Sequence, residues 1–337
     1  MKRKQMIATV MAAGLMLSSL AGCSSGKEAE TTAAAATTVA AETTEAESNA
    51  PAGDKKYVIG LAMNTQTNPF FVDVKDGVQK AADELGVELY ITDAQDDPTI
   101  QMKDVENLIT KKPDCIIIDT CDSDAIVSSI EACNEAGIPV FTMDREANGG
   151  KVISHIGYDA IKSGKLAGQY LVDTLGGKGN IVEIQGIMGT NVAQNRSKGF
   201  NEIISANPDM KIVACQVADF DRAKGMSVME NILQANDHID GLYAANDEML
   251  LGALEAIEAA GRLDEITMIG CDAIDDTLEA IKSKKVEATI AEPPFFLGKA
   301  ILTSAYDYLE GKTVEPYVIL DNKLVTFDNV KDLVTKE

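Results

Sequence analysis

The sequence has no tryptophan, only two histidines and a shortage of basic residues. Thirty Lys and Arg face 53 Asp and Glu, giving a formal charge of −23 over 337 residues. That balance repels a phosphate backbone, so no nucleic-acid partner is expected. Eight Phe and eight Tyr are the only aromatics, so several of them in recognisable positions would be informative. The six cysteines show no CxxC or zinc spacing. His155, in a strand pattern, and His238, in a helix-to-strand turn, have no partner that suggests a metal or catalysis, so neither a metal nor a cofactor is expected. At 45% hydrophobic and 25% charged, the composition is that of a soluble globular protein. It excludes a collagen, a coiled coil and a polytopic membrane protein. The length suggests about two domains at roughly 100 to 200 residues each.

Long apolar runs are also missing. The first, Met6–Leu20, falls short of the ~18 residues of a transmembrane helix. It follows Lys2, Arg3 and Lys4 and ends in Leu20-Ala21-Gly22-Cys23, the organisation of a secretory signal. The Leu-Ala-Gly-Cys run resembles the bacterial lipobox, which implies cleavage of residues 1–22 and a diacylglycerol group on Cys23. Two acyl chains suffice for stable attachment where one is marginal. Residues 24–55 are almost entirely Ala, Thr, Glu and Ser, with Val39 the only large apolar side chain. No core can form there, so residues 23–55 read as a lipidated cysteine and a disordered tether, with a reach of roughly 30 Å. The expected location is extracytoplasmic, anchored to the bacterial cell membrane.

From Tyr57 onward, short Val- and Ile-rich runs alternate with helical patterns. Tyr57–Met63 reads as a strand. Asn68-Pro69 then opens a helix with Val74, Val78, Ala81 and Leu85 on one face, closed by Gly86. The Asn oxygen accepts an orphan amide while Pro presets φ and has no amide to satisfy. Asp97-Pro98 repeats the signal ahead of Ile100, Val105, Leu108 and Ile109. Further strands are expected at 87–91, 115–118, 139–143, 151–155, 180–184, 211–215, 241–244, 266–270 and 286–290. Apolar strands alternating with helices imply parallel sheets covered on both faces, and ten or more are too many for one domain. The expected fold class is α/β, with two doubly wound parallel-sheet lobes.

Ligands of open parallel sheets bind beyond the carboxyl ends of the strands. The residues there are Asn64 to Phe71, Asp144-Arg145, Asn246-Asp247 and Asp272, with Arg196 and Phe220 from the segments after two further strands. The set holds planar polar groups and phenylalanines, with no obvious nucleophile and base. Asn68-Pro69-Phe70-Phe71, Asp144-Arg145, Ala218-Asp219-Phe220-Asp221-Arg222, Ala245-Asn246-Asp247-Glu248-Met249 and Ile269-Gly270-Cys271-Asp272 resemble the ribose-binding branch of the periplasmic (type I) sugar-binding proteins of ABC transporters. Their joint order and spacing, from residue 56 to about 330, make the resemblance specific.

The resemblance implies a monomeric, two-lobed receptor that closes by a three-crossing hinge on a monosaccharide or related polyol and hands it to an ABC permease. It places residues 56–158 and 293–321 in the N-terminal lobe and 159–292 and 322–337 in the C-terminal lobe. Asn64, Asn68, Phe70, Phe71, Asp144 and Arg145 are then expected at the ligand from the first lobe. Arg196, Phe220, Asn246 and Asp272 come from the second, with Glu292 at the hinge. Asp, Asn and Arg match adjacent sugar hydroxyls in fixed planar patterns, and Phe rings can cover an apolar C–H face. Two positions depart from the ribose pattern, with Asn64 in place of serine and Glu292 in place of glutamine. Counting Asp144, Asp272 and Glu292 against Arg145 and Arg196 gives the site a charge of −1, which argues against acidic sugars. An ionised Glu292 would ask the ligand for an extra donor.

The remaining motifs read as structural. Cys115, Cys121, Cys133, Cys215 and Cys271 are expected as buried free thiols, with one disulfide as the alternative. Five cannot all pair, which points to a reducing or anaerobic setting. Gly186 to Thr190 superficially resembles a phosphate loop, but no Lys follows. A sugar sensor acting on a membrane receptor or kinase is the alternative function. A surface enzyme would need an activated nucleophile or base that is not seen. The related lac-repressor family shares the lobes, but signal and tether stand where its DNA-binding helices belong.

Overall fold

The computed structural model describes residues 56–336. The signal sequence, Cys23 and the tether expected at 23–55 lie outside the described residues. The chain first builds β1 (Val58–Met63), α1 (Pro69–Leu85), β2 (Glu88–Asp93), α2 (Pro98–Lys111), β3 (Cys115–Ile118), α3 (Val127–Glu135), β4 (Val140–Met143) and β5 (Ser154–Tyr158). A second series follows: α4 (Ala160–Leu175), β6 (Lys178–Gln185), α5 (Asn191–Ser205), β7 (Asp209–Val217), α6 (Arg222–Ala235), β8 (Gly241–Ala244), α7 (Asp247–Ala259), β9 (Thr267–Asp272), α8 (Asp275–Lys282) and β10 (Ala288–Ala291). The last elements are α9 (Pro294–Leu309), β11 (Tyr317–Leu320) and β12 (Lys323–Thr326).

These strands form two six-stranded sheets, ordered β11-β5-β4-β3-β1-β2 and β12-β10-β9-β8-β6-β7. Every pairing is parallel except β10 with β12. The chain therefore passes between lobes three times, after β5, after β10 and between β11 and β12. This is the type I periplasmic-binding-protein fold. Continuous burial of β3, β4, β5, β8 and β10 fits strands covered on both faces.

The helix starts follow the local chemistry. Asn68 Oδ1 accepts the Phe70 amide at 2.9 Å and Asp97 Oδ1 the Thr99 amide at 2.7 Å, each with Pro at the first helical position. Gly86 ends α1 at φ 70°. On α1 the residues Val74, Val78 and Ala81 are buried, while Leu85 is half-buried. The helix α9 returns to lie on α1, and the approach needs glycine on both sides. A Cβ on Gly77 would stand 2.0 Å from Phe295 O, and one on Gly298 2.0 Å from Val74 O.

Three sequence expectations need correction. The strand expected at 151–155 is β5 at 154–158, because Lys151 is tied into a loop: its amide donates to Asn134 Oδ1 at 2.8 Å and its carbonyl accepts Asn134 Nδ2 at 3.0 Å. The strands β11 and β12 were not anticipated; both are four-residue strands at sheet edges, β11 an apolar run with exposed or half-buried side chains and β12 with only Val325 buried. Four of the five cysteines are buried and all five are free, but Cys215 is exposed because β7 is the edge of its sheet.

Candidate functional site

Between the lobes, at the carboxyl ends of both sheets, lies a cavity with about 260 Å³ of empty space. Nine of the eleven residues expected from the sequence line it, joined by Val192 of α5. The helix cap at Asn68 sets the first wall, since it starts α1 where Phe70 and Phe71 face the cavity, their rings edge-to-face at 5.1 Å. Asp144 and Arg145 leave the end of β4. Asp144 adopts φ 52° and its amide donates to Ile156 O at 3.0 Å, which fixes the turn. Arg145 Nη1 donates to Asp96 Oδ1 and to Thr120 O, both at 3.3 Å. Its guanidinium lies 4.9 Å from the Phe71 ring centre and 5.4 Å from that of Phe220, so it sits between aromatic faces of the two lobes.

The second wall is just as constrained. Arg196, on α5, donates from Nη1 to Ala245 O at 2.7 Å, and from Nη2 to Asp272 Oδ1 at 3.3 Å and Glu292 Oε2 at 2.5 Å. Phe220 is held at φ 59°, and its ring crosses the position that a Cβ on Gly186 would need, 2.1 Å away. The glycine of the apparent phosphate loop thus makes room for an aromatic wall. Asn246 caps α7, its Oδ1 accepting the Met249 amide at 3.0 Å. Asp272 and Ala273 have φ of 126° and 66°, in the left-handed region that side chains disfavour. Asp247 holds them there: its Oδ2 accepts the amides of Ala273 and Ile274 at 2.8 and 3.1 Å, and its Oδ1 the Thr289 hydroxyl at 2.7 Å.

The other two expected residues stand elsewhere. Neither Asn64 nor Glu292 lines the cavity. Asn64 is fully buried, its Nδ2 donating to Asp96 Oδ1 at 3.3 Å. Glu292 is also buried, with Oε1 accepting the Ser163 hydroxyl and Oε2 paired with Arg196. The carboxylate is engaged by the protein itself, so the extra ligand donor inferred from the sequence is not required. Cys271, Asp272 and Glu292 bring their donor atoms within 4.8 Å of one another, but Arg196 already supplies the cation for the two carboxylates.

Burial dominates the electrostatics. It pushes Asp144 up to about 6 against the pull of Arg196 and Arg145. The same cause raises Asp272 and Asp119 well above the usual carboxylate range. For Arg196, burial opposes the charge, but the facing acidic groups, Glu292 and Asp272 among them, outweigh it and keep the guanidinium charged. Burial holds the Cys271 thiol protonated. The cavity therefore presents planar hydrogen-bonding groups and ring faces, with no activated nucleophile among its lining residues.

Comparison with known proteins places this geometry. Residues 59–313 match the periplasmic binding protein domain family. The chain belongs to that family. This periplasmic binding protein is 41% identical over 276 residues to the ribose import binding protein of Bacillus subtilis (strain 168), covering 82% of this chain and 89% of that one. Its fold is similar to a solute-binding protein from Bacillus halodurans C-125 solved with myo-inositol, at TM-score 0.80 and 32% identity, covering 83% and 98% of the two chains. A binding protein from Actinobacillus succinogenes 130z solved with D-allose matches at TM-score 0.78 and 29% identity, covering 82% and 100%. These relatives are extracytoplasmic, sugar-binding components of ABC importers, a family without enzymatic activity.

Sequence reasoning passed over Asp119 and Val192, and it placed Asp247 at a strand end without its anchoring role. The rule that found Asp144 applies to Asp119, which directly follows β3. Asp247 stood inside a quoted motif, but its role depends on a loop 25 residues away. An isolated Val carries no signal.

Proposed function

We propose that this periplasmic binding protein is a lipid-anchored receptor that captures a neutral monosaccharide or related polyol between its lobes and delivers it to an ABC permease. One observation supports the reading above others: polar planar groups and phenylalanines from both lobes converge on a single cavity. Asp144, Asn246 and Asp272 would accept or donate to ring hydroxyls, Arg145 and Arg196 would donate, and Phe71 and Phe220 would cover C–H faces. The cavity is small and bounded by side chains of both lobes, which suits one sugar ring rather than an oligosaccharide. The lining sets two carboxylates, Asp144 and Asp272, against two guanidiniums, Arg145 and Arg196, a balance that suits an uncharged ligand. The names of the relatives favour ribose first, with hexoses and cyclitols next.

The reading includes lobe boundaries at 158/159, 292/293 and 321/322, function as a monomer, and attachment through Cys23. A thermal-shift screen of pentoses, hexoses, their epimers and polyols tests it. At 100 times Kd a ligand adds about 2.7 kcal/mol, or roughly 5–10 °C at about 2–4 °C per kcal/mol. If no neutral sugar raises the melting temperature, the reading fails.

A further inference from the structure

The lobes also meet outside the cavity, through residues that do not line it. Ser123 and Glu146 lie in the first-lobe loops that follow β3 and β4, while Gly189 precedes α5 and Asn191 begins it. The Ser123 amide donates to Gly189 O at 3.0 Å, and the Asn191 amide to Ser123 Oγ at 3.1 Å. The Glu146 amide donates to Asn191 Oδ1 at 2.9 Å, and Asn191 Nδ2 returns a bond to Glu146 Oε1 at 3.1 Å. Tyr317, on the first lobe, donates to the same Glu146 oxygen at 2.9 Å and so orients it.

The contact depends on close approach at Gly189, where a Cβ would stand 2.3 Å from Asp122 Oδ2. That carboxylate is not free to swing aside, because its other oxygen accepts the amides of Asp124 and Ala125 at 3.0 and 2.8 Å.

We propose that these four interlobe hydrogen bonds form a latch that favours the closed state without sugar, with Asn191 as its central positioning residue. Apparent affinity equals intrinsic affinity scaled by the fraction of molecules already competent to bind. A latch that sets this fraction acts equally on every ligand. Its loss therefore weakens all sugars by one factor and leaves the ratios between them unchanged, whereas a change in the cavity wall alters those ratios.

The affinity half of this inference rests on the sugar-receptor reading; the conformational half does not. Small-angle X-ray scattering of the sugar-free protein tests the second directly. Asn191→Ala and, as a milder variant that removes one bond, Ser123→Ala should both give a larger radius of gyration than wild type. Sugar-free wild type already as expanded as Asn191→Ala would overturn the latch, whether or not any sugar binds. For two sugars that bind wild type, calorimetry should show Asn191→Ala weakening both about tenfold, from the two bonds of its side chain. A change confined to one sugar would overturn the proposal as well.

Discussion

Replacing Asp144 by Asn should move stability and sugar binding in opposite directions. Asp144 is 6% exposed, and burial raises its pKa from 3.8 to about 6. Because the folded value lies above the unfolded one, the folded protein holds the extra proton. Stability from this group is greatest below pH 4 and is lost as the pH rises through 6. At pH 7.5 the ionised side chain then costs about two pKa units, or about 3 kcal/mol, a cost that a neutral amide at this position would not incur. The sugar-free Asp144→Asn variant should melt several degrees above wild type at pH 7.5, and the difference should shrink towards pH 4. Sugar binding should weaken, since hydrogen bonds to a charged group contribute about 1.5–3 kcal/mol each and the amide replaces one acceptor by a donor. The expected loss is roughly 10- to 200-fold in Kd. Scanning calorimetry with and without the best sugar, at pH 7.5 and 5.0, reads both effects. A variant that melts lower than wild type at pH 7.5 and keeps the full sugar-induced shift would refute the assignment of Asp144 as a buried ligand-facing carboxylate.

Other substitutions probe separate parts of the molecule. Gly186→Ala should displace the Phe220 ring, whose atoms lie 2.1 Å from the new Cβ; calorimetric titration should show weaker sugar binding, about tenfold for one misplaced aromatic face, with little change in melting temperature. Gly298→Ala should do the reverse, lowering stability by about 1–3 kcal/mol through overpacking of α9 on α1, read as a lower melting temperature with sugar affinity retained in the folded fraction. Cys23→Ser should release the full-length protein from the membrane fraction into the soluble one on cell fractionation.

The parts of the molecule most legible in the sequence are those where local chemistry and periodicity agree. Asn68-Pro69 and Asp97-Pro98 mark helix starts through side-chain oxygens and missing amides, and runs such as Cys115–Ile118, set between helical patterns, read as strands buried on both faces. The carboxyl-end rule then brought Asp144, Asn246 and Asp272 to one cleft. What stayed hidden depends on distant partners. β11 is a strand only because β5 offers it an edge, with Tyr317 opposite His155. Glu292 turns to Ser163 and Arg196, neither of which is near it in sequence. Asp247 matters because Asp272 and Ala273 occupy backbone conformations that need an anchor, and no pattern of residue types records a φ angle.

The interleaving of the two lobes bears on when the molecule can fold. The first lobe begins at β1, yet its sheet lacks β11 and α1 lacks its partner α9 until about residue 320 has been made. One hydrogen bond, from the Tyr57 hydroxyl to Leu309 O, joins residues 252 positions apart. Contacts this distant in sequence slow folding, because the loop must close before the contact can form. A growing chain therefore has no complete first lobe to collapse into for nearly the whole of its synthesis. For a protein that works outside the cytoplasm, late completion postpones the native first lobe during the interval in which the polypeptide must still be threaded across a membrane.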